Sequence, residues 1–596
     1  MNPLSFPDFS CPVHKPGDLG YDKYRYQYAT TSHPMSMSPA AIICPQYPNA
    51  DSDVVKAVNY AFANNLSIAV RTGGHAYSGT SSTSGPNIQL DLSEAYQDWD
   101  FDENDGCLRV GISYSLLEFN TKLKELGLFM PTGQCYNVHL GGHVQTGGYG
   151  QLSRAFGLFS DHIVSFEMIF ADGTKRKIEP TSPDPFERDL FFAVLGGGPG
   201  NYGIMTHVSI CPLKDSDYPD ARAYKHIIPY DPKFDHHVLV KLFDLVREWE
   251  EAPGDYDFCV TVASAEENFI GNQIGLASVD DFMVTFFGGK NDAPPFNIIL
   301  VYFQYSNTDK NTPYDPTWCQ KIQDILKTAN TGGSIWERIT MLAEQEILNL
   351  LVKHQDNIPT PISTSITELW TYPGTREFNF PYIKNGQDTD TVASDDWSEW
   401  AATRIDAMTG RSDEGLMVFV QCQNFGGQGS AIVKNGKRNQ TSFAWRNTTV
   451  GYNLDIFYDP KKPDAKEKGQ EWQKVNTEEG IGQNGKFSTE DHRWFWASHG
   501  DLNMKNVWQY YYSSREIYDR CCEVKKQVDP NGVFSPNSFG VGYSLDVPES
   551  FAFADSQPEK IFDDAEFAKS HADLAHQRAR EKGINVDKYV DKYLEK

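Results

Sequence analysis

The feature that most constrains this chain is the pairing of glycine clusters with nucleophilic side chains. Residues 71 to 79 read Arg-Thr-Gly-Gly-His-Ala-Tyr-Ser-Gly, and sixty positions after His75 comes Cys135, at the head of a second glycine-rich stretch. Gly73 and Gly74 follow a predicted strand, Ile68 to Thr72, and let the chain turn sharply or take positive φ. Such a loop aims successive backbone N–H groups at one point and forms an anion cradle without lysine. Ser78, Thr80, Ser81 and Ser82 add hydroxyl donors suited to a pyrophosphate. In the second stretch, the five glycines from Gly141 to Gly150 make a poor helix or strand. The segment is therefore expected to lie against something flat or anionic.

A third cluster, Leu195 to Gly203, contains Gly198, Gly200 and Gly203 in G-x-G-x-x-G spacing, the dinucleotide fingerprint of a Rossmann fold. That fingerprint needs a following helix, whereas Ile204 to Ile210 alternates like a strand. A nicotinamide site is not expected. Glycines here are read as letting the backbone approach a flat cofactor.

In these motifs the chain resembles the berberine bridge enzyme-like branch of the PCMH-type, FAD-linked oxidases of the vanillyl-alcohol oxidase superfamily. The segments that carry the resemblance are Gly73 to Gly79, Gly133 to Gly150, Asp189-Leu190-Phe191 leading into Gly196 to Gly203, and Val528 to Asn537 near the C-terminus. It covers roughly residues 36 to 215 and 495 to 542. It implies FAD bound twice covalently, His75 to the flavin 8α-methyl carbon and Cys135 to C6. It further implies cofactor contacts from Arg71, Thr72, Gly73, Gly74, Ala76, Ser78, Gly79, Val138, Gly141, Gly142, Gly147, Gly148, Gly150, Gly203, Ile204 and Asn537. Val138 stands three residues after Cys135, where the family's oxidases carry valine, which favours an oxidase over a dehydrogenase.

The expected fold class is α+β: a split PCMH-type FAD-binding domain and a second, substrate domain built on an antiparallel sheet flanked by helices. The expected divisions are an N-terminal extension (1–35), the FAD-binding domain (36–215), the substrate domain (216–494), a segment completing the FAD domain (495–546) and a helical tail (547–596). Periodicity predicts helices over Val54 to Asn64, Leu116 to Leu126, Val238 to Glu250, Trp318 to Ala329, Trp336 to Lys353 and Trp397 to Met408. It predicts strands over Ile88 to Leu92, Leu108 to Ile112, Phe258 to Ala263, Ile298 to Tyr305, Leu416 to Gln423 and Gly451 to Phe457. Ile163 to Phe170 and Thr174 to Ile178 flank Ala171-Asp172-Gly173 as a hairpin. Val433 to Asn447 is polar and basic and reads as a surface loop. The charged helix Asp563 to Lys582 in the tail reads as an appended surface helix or a contact between copies of the chain.

A chain of 596 residues with 40% hydrophobic and 13% aromatic content can bury a large cofactor. A formal charge of −27 argues against nucleic acid or an anionic membrane as partner, and no apolar run is long enough to span a bilayer. The partners expected are a small-molecule substrate and O2. No metal site is expected, since the ten cysteines show no CxxC spacing or His/Cys cluster. With no apolar leader segment in Met1 to Tyr24, a cytoplasmic location is favoured over secretion, and the sequons at Asn65, Asn439 and Asn447 are read as unused.

The resemblance implies hydride loss from a substrate carbon to the flavin while a base takes a proton, with O2 reduced to H2O2. The substrate expected is an alcohol, hemiacetal or phenol of medium size, either an oligosaccharide or a secondary-metabolite intermediate. Where the family carries a tyrosine base, this chain has Phe495 to Asn503, which places His499 at that position. An imidazole with an ordinary pKa of about 6.5 can act as base near neutrality. Tyr77 is the second candidate base, where a family tyrosine faces substrate. The alternative is a non-redox cyclase or ligand-binding protein that keeps the flavoprotein fold. Such a descendant has no need to retain both His75 and Cys135.

Overall fold

The computed structural model describes residues 6–25, 27, 38–76, 79–135, 137–196, 198–265, 296–330, 352–353, 359–369, 382–383, 388–390, 396–409, 411, 414–427, 429–458, 462–481, 486–487, 493–494, 508, 511–512, 514–537 and 540–542. His499, Tyr77, Ser78 and the tail from 547 lie outside them, as does most of the helix predicted over 336–353. At the end of that predicted helix, Val352–Lys353 is a short strand.

The N-terminal half holds two small sheets. In the first, β1 (Ala41–Ile43) and β2 (Ile68–Arg71) each pair parallel with β3 (Ile88–Asp91), and Val13–His14 adds an antiparallel edge. The second contains β4 (Trp99–Asp102), β5 (Cys107–Gly111), β6 (Ile163–Ile169), β7 (Lys175–Ile178) and β8 (Ile204–Ile210). All its pairings are antiparallel, in the order β4-β5-β8-β6-β7. β8 is the strand that the third glycine cluster leads into, so the Rossmann reading fails structurally as well. Cys107 and Cys211, at neighbouring ends of β5 and β8, form a disulfide, a pairing the sequence left open.

Helix α1 (Ala50–Ala63) buries Val54, Ala57, Val58 and Ala61, an i, i+3, i+4, i+7 stripe, into this core. Helix α2 (Leu116–Glu125) begins with a capping box in which Ser115 and Glu118 satisfy each other's backbone N–H groups. From the C-terminal part, Tyr511, Tyr512, Phe534, Val541 and the inner face of the helix Arg515–Val528 pack into the same core. The hub there is the buried Lys525 ammonium, which donates to Asp529, to the Phe534 carbonyl and to the Asn201 carbonyl.

The second core is one antiparallel sheet with helices on one face. Its long strands are β9 (Arg222–Tyr230), β10 (Tyr256–Ala265), β11 (Phe296–Tyr305), β12 (Leu416–Asn424) and β13 (Val450–Tyr458), ordered β9-β11-β10-β12-β13. Strand alternation sends Val418, Val420, Leu454 and Ile456 into the core under helices Pro232–Glu248 and Trp397–Asp406. Trp397 is part of that core. The opposite face carries Phe419, Gln421, Asn453 and Asp455.

Two expectations need correction. The segment holding Gly141 and Gly142 forms a short helix, α3 (Leu140–Gln145), instead of irregular backbone. Packing overrides propensity there, because a Cβ at Gly141 would stand 2.8 Å from Thr72 Cγ2. Residues 433–447 are not a free surface loop. They begin inside the helix Ala431–Gly436, bury Phe443, and pair Arg446 with Asp161 at 2.6 and 2.9 Å.

Candidate functional site

Where the two cores meet, a cleft of about 1350 Å3, its open mouth included, is lined by both. Its first wall is the turn after β2. Arg71 is buried in an ion pair with Asp91 beneath that turn and is not among the lining residues. The turn needs glycine twice over. Gly74 holds φ +67°, and a Cβ at Gly73 would stand 2.5 Å from the Asn137 carbonyl oxygen. Thr72, Gly73, Gly74, His75 and Ala76 all line the cleft.

The second wall is the Gly133 to Gly150 stretch. It is pinned by backbone bonds from Leu116 N–H to the Val138 carbonyl (2.7 Å) and from Gly141 N–H to the Ile112 carbonyl (3.1 Å). These bonds bring Cys135, Val138, Gly141, Gly142, Gly148 and Gly150 to the cleft that His75 faces. Of the remaining expected contacts, Gly79 closes the first turn by donating to the Ala76 carbonyl. Asn537 donates its amide to the Thr80 and Ser82 carbonyls from the C-terminal segment. Gly147, Gly203 and the buried Ile204 stand behind the lining.

Sequence reasoning missed several lining groups. Gln134 precedes Cys135, and both polar atoms of its side chain are buried with no hydrogen-bond partner among the described residues. His143 accepts the Gly133 N–H at Nε2 (3.2 Å), and burial lowers its pKa to about 4, so the ring is neutral. From the sheet come Phe419, Gln421, Asn453 and Asp455. Asn453 is fixed at both ends, its Oδ1 accepting the Gln421 N–H (2.7 Å) and its Nδ2 donating to Asp455 Oδ2 (2.7 Å). Asp455 is only 4% exposed. The available signal was polar residues at alternate positions in otherwise apolar strands.

The cleft suits a flavin dinucleotide. A Cβ at Gly142 would meet no atom within 4 Å, and the unsatisfied Gln134 amide needs a polar ligand. No lysine or arginine is among the described lining residues, so a pyrophosphate there would rely on backbone N–H groups. Burial pushes the Cys135 thiol up to about 12. Among the described residues no cluster of His, Cys, Asp or Glu could hold a metal ion, and no helix is long and apolar enough to cross a membrane.

Comparison with known proteins agrees with this geometry. Residues 39–179 match the FAD binding domain family. Aclacinomycin-N/aclacinomycin-A oxidase of Streptomyces galilaeus is 38% identical over 157 residues, 26% of this chain and 29% of that protein. Berberine bridge enzyme-like 12 of Arabidopsis thaliana is 35% identical over 184 residues, 30% of this chain and 32% of its own length. The matches thus span under a third of these relatives. In fold, berberine bridge enzyme from Eschscholzia californica superposes with a TM-score of 0.61 over 90% of this chain and 97% of its own, at 17% identity. The α+β class and an FAD-binding domain are therefore properties of the molecule.

Proposed function

We propose that this chain, a berberine bridge enzyme-like flavoprotein of the PCMH type, is an oxidase whose FAD is bonded to both His75 and Cys135. One observation carries the reading: two nucleophiles sixty residues apart line a single cleft, each on a glycine-rich turn, opposite a row of hydrogen-bonding side chains. Bound FAD supplies a two-electron acceptor that O2 reoxidises, with hydrogen peroxide as product.

The chain supplies orientation and a base. Gln421 and Asn453 present polar side chains to an incoming hydroxyl, and Phe419 offers an apolar face beside them. Asp455 is an acceptor whose direction is set by the Asn453 amide, so it is the described residue best placed to take the hydroxyl proton as the carbon loses hydride. His499 and Tyr77 remain the proposed bases from the sequence. The product is a carbonyl compound, or a lactone where the substrate is a hemiacetal. Oligosaccharides and secondary-metabolite intermediates are both proposed as substrates. The tail from Val547 is a proposed contact between copies, tested by comparing the oligomeric state of the full chain with one ending at residue 546.

Anaerobic stopped-flow tests the assignment once an oxygen-consumption screen of sugars, phenols and alcohols supplies a substrate. Asp455→Asn should slow flavin bleaching ~10²–10⁴-fold with flavin content unchanged. An unchanged bleaching rate removes Asp455 from the chemistry. A protein that no substrate bleaches is not an oxidase of this class.

A further inference from the structure

Residues 435–446 wall a second cavity of about 700 Å3, its mouth included, apart from the cleft between the two cores. Asp161 on its wall is fully engaged. It accepts both Arg446 guanidinium bonds, the Asn435 amide at 3.1 Å and the Leu158 N–H at 3.0 Å. That leaves Arg438, exposed at the cavity and in no ion pair among the described residues, as the uncompensated charge. Ser160, 2% exposed, also lines the cavity, and its Oγ has no hydrogen-bond partner among the described residues. A buried hydroxyl left unsatisfied costs free energy unless a ligand or water meets it. A local positive charge in a chain of formal charge −27 selects an anion.

The cavity also touches the flavin cleft through one turn. Ser160 donates its N–H to the Gly147 carbonyl at 2.9 Å, and the Phe443 ring lies where a Gly147 Cβ would point. Thr146 and Gly148, on either side of Gly147, line the cleft.

We propose that this cavity binds a small oxyanion through Arg438 and the Ser160 hydroxyl, and that its occupancy shifts the Gly147 turn against the flavin. Binding is tested by calorimetric titration of the flavin-loaded protein with inorganic phosphate at constant ionic strength, independently of any substrate. One saturable site is expected. Arg438→Gln should weaken it by about 10-fold or more, the worth of a charge-assisted hydrogen bond. Ser160→Ala should weaken it too, and Lys437→Gln, one residue away and off the lining, should not. No saturable binding, binding indifferent to Arg438→Gln, or an equal loss in Lys437→Gln overturns the site. Visible circular dichroism of the flavin should change in step with occupancy, and binding without that change overturns the coupling.

Discussion

Cys135 sets the first problem at the scale of single residues. A thiol pushed up to about 12 by burial is almost wholly protonated near neutrality, yet the thiolate is the nucleophile. Its proposed attachment to flavin should therefore follow the thiolate fraction. Apoprotein made under riboflavin starvation and mixed with FAD should form the sulfur bond about tenfold faster per pH unit between pH 7 and 9. Mass spectrometry of the Cys135 peptide over time checks this, and a flat pH profile contradicts it. Gln134, next in sequence, is the side chain whose unsatisfied amide a bound ligand would complete. The Gly74 requirement is of another kind: at φ +67° a side chain is strained whatever the ligand.

Among elements, the decisive contact is the short helix Ser153–Phe156, which the first core drives into the second. Arg154, fully buried, donates to the carbonyls of Pro253 (2.6 Å), Tyr256 (2.7 Å), Ala252 (2.6 Å) and Gly426 (2.9 Å). Gln423 of β12 reaches back to the Gly150 carbonyl at 2.8 Å, tying the second sheet to the cleft wall. Arg154→Met strands several buried carbonyls and should cost about 3 kcal/mol or more in denaturant unfolding, at 1–3 kcal/mol for each unsatisfied group. A loss below 1 kcal/mol would show the clamp to be dispensable. Beside it, Asp257 accepts the Arg154 and Ala155 N–H groups, and burial raises its carboxyl to about 8. A raised carboxyl holds its proton in the folded state. The stability it contributes is full below its ordinary value near 4 and is lost as pH rises through 8. Asp257→Asn should therefore flatten the decline of stability between pH 4 and 8 relative to the parent chain, and an unaltered slope contradicts this. Many strands and helices of both cores were legible in the sequence because two-fold and 3.6-fold periodicity is local, but β1, β4 and β9 were not anticipated. Residues 433–447 were misread because one buried ring, Phe443, and a partner as distant as Asp161 leave no local trace.

Over the whole molecule, the site divides by what the sequence can express. The wall proposed to hold the flavin was readable as one lining because glycine clusters, His75 and Cys135 stand within a few residues of one another in each stretch. The opposing wall was not. Gln421, Asn453 and Asp455 alternate visibly along β12 and β13, but which face meets a cleft depends on how the second sheet docks on the first, a long-range property. Both walls serve one claim, that a flavin sits between them bonded to two side chains. The most direct measurement is acid precipitation of the protein followed by peptide mass spectrometry. The account predicts a yellow pellet and a flavin adduct joining the peptides that contain His75 and Cys135. A colourless pellet, with both peptides at their unmodified masses, would contradict it.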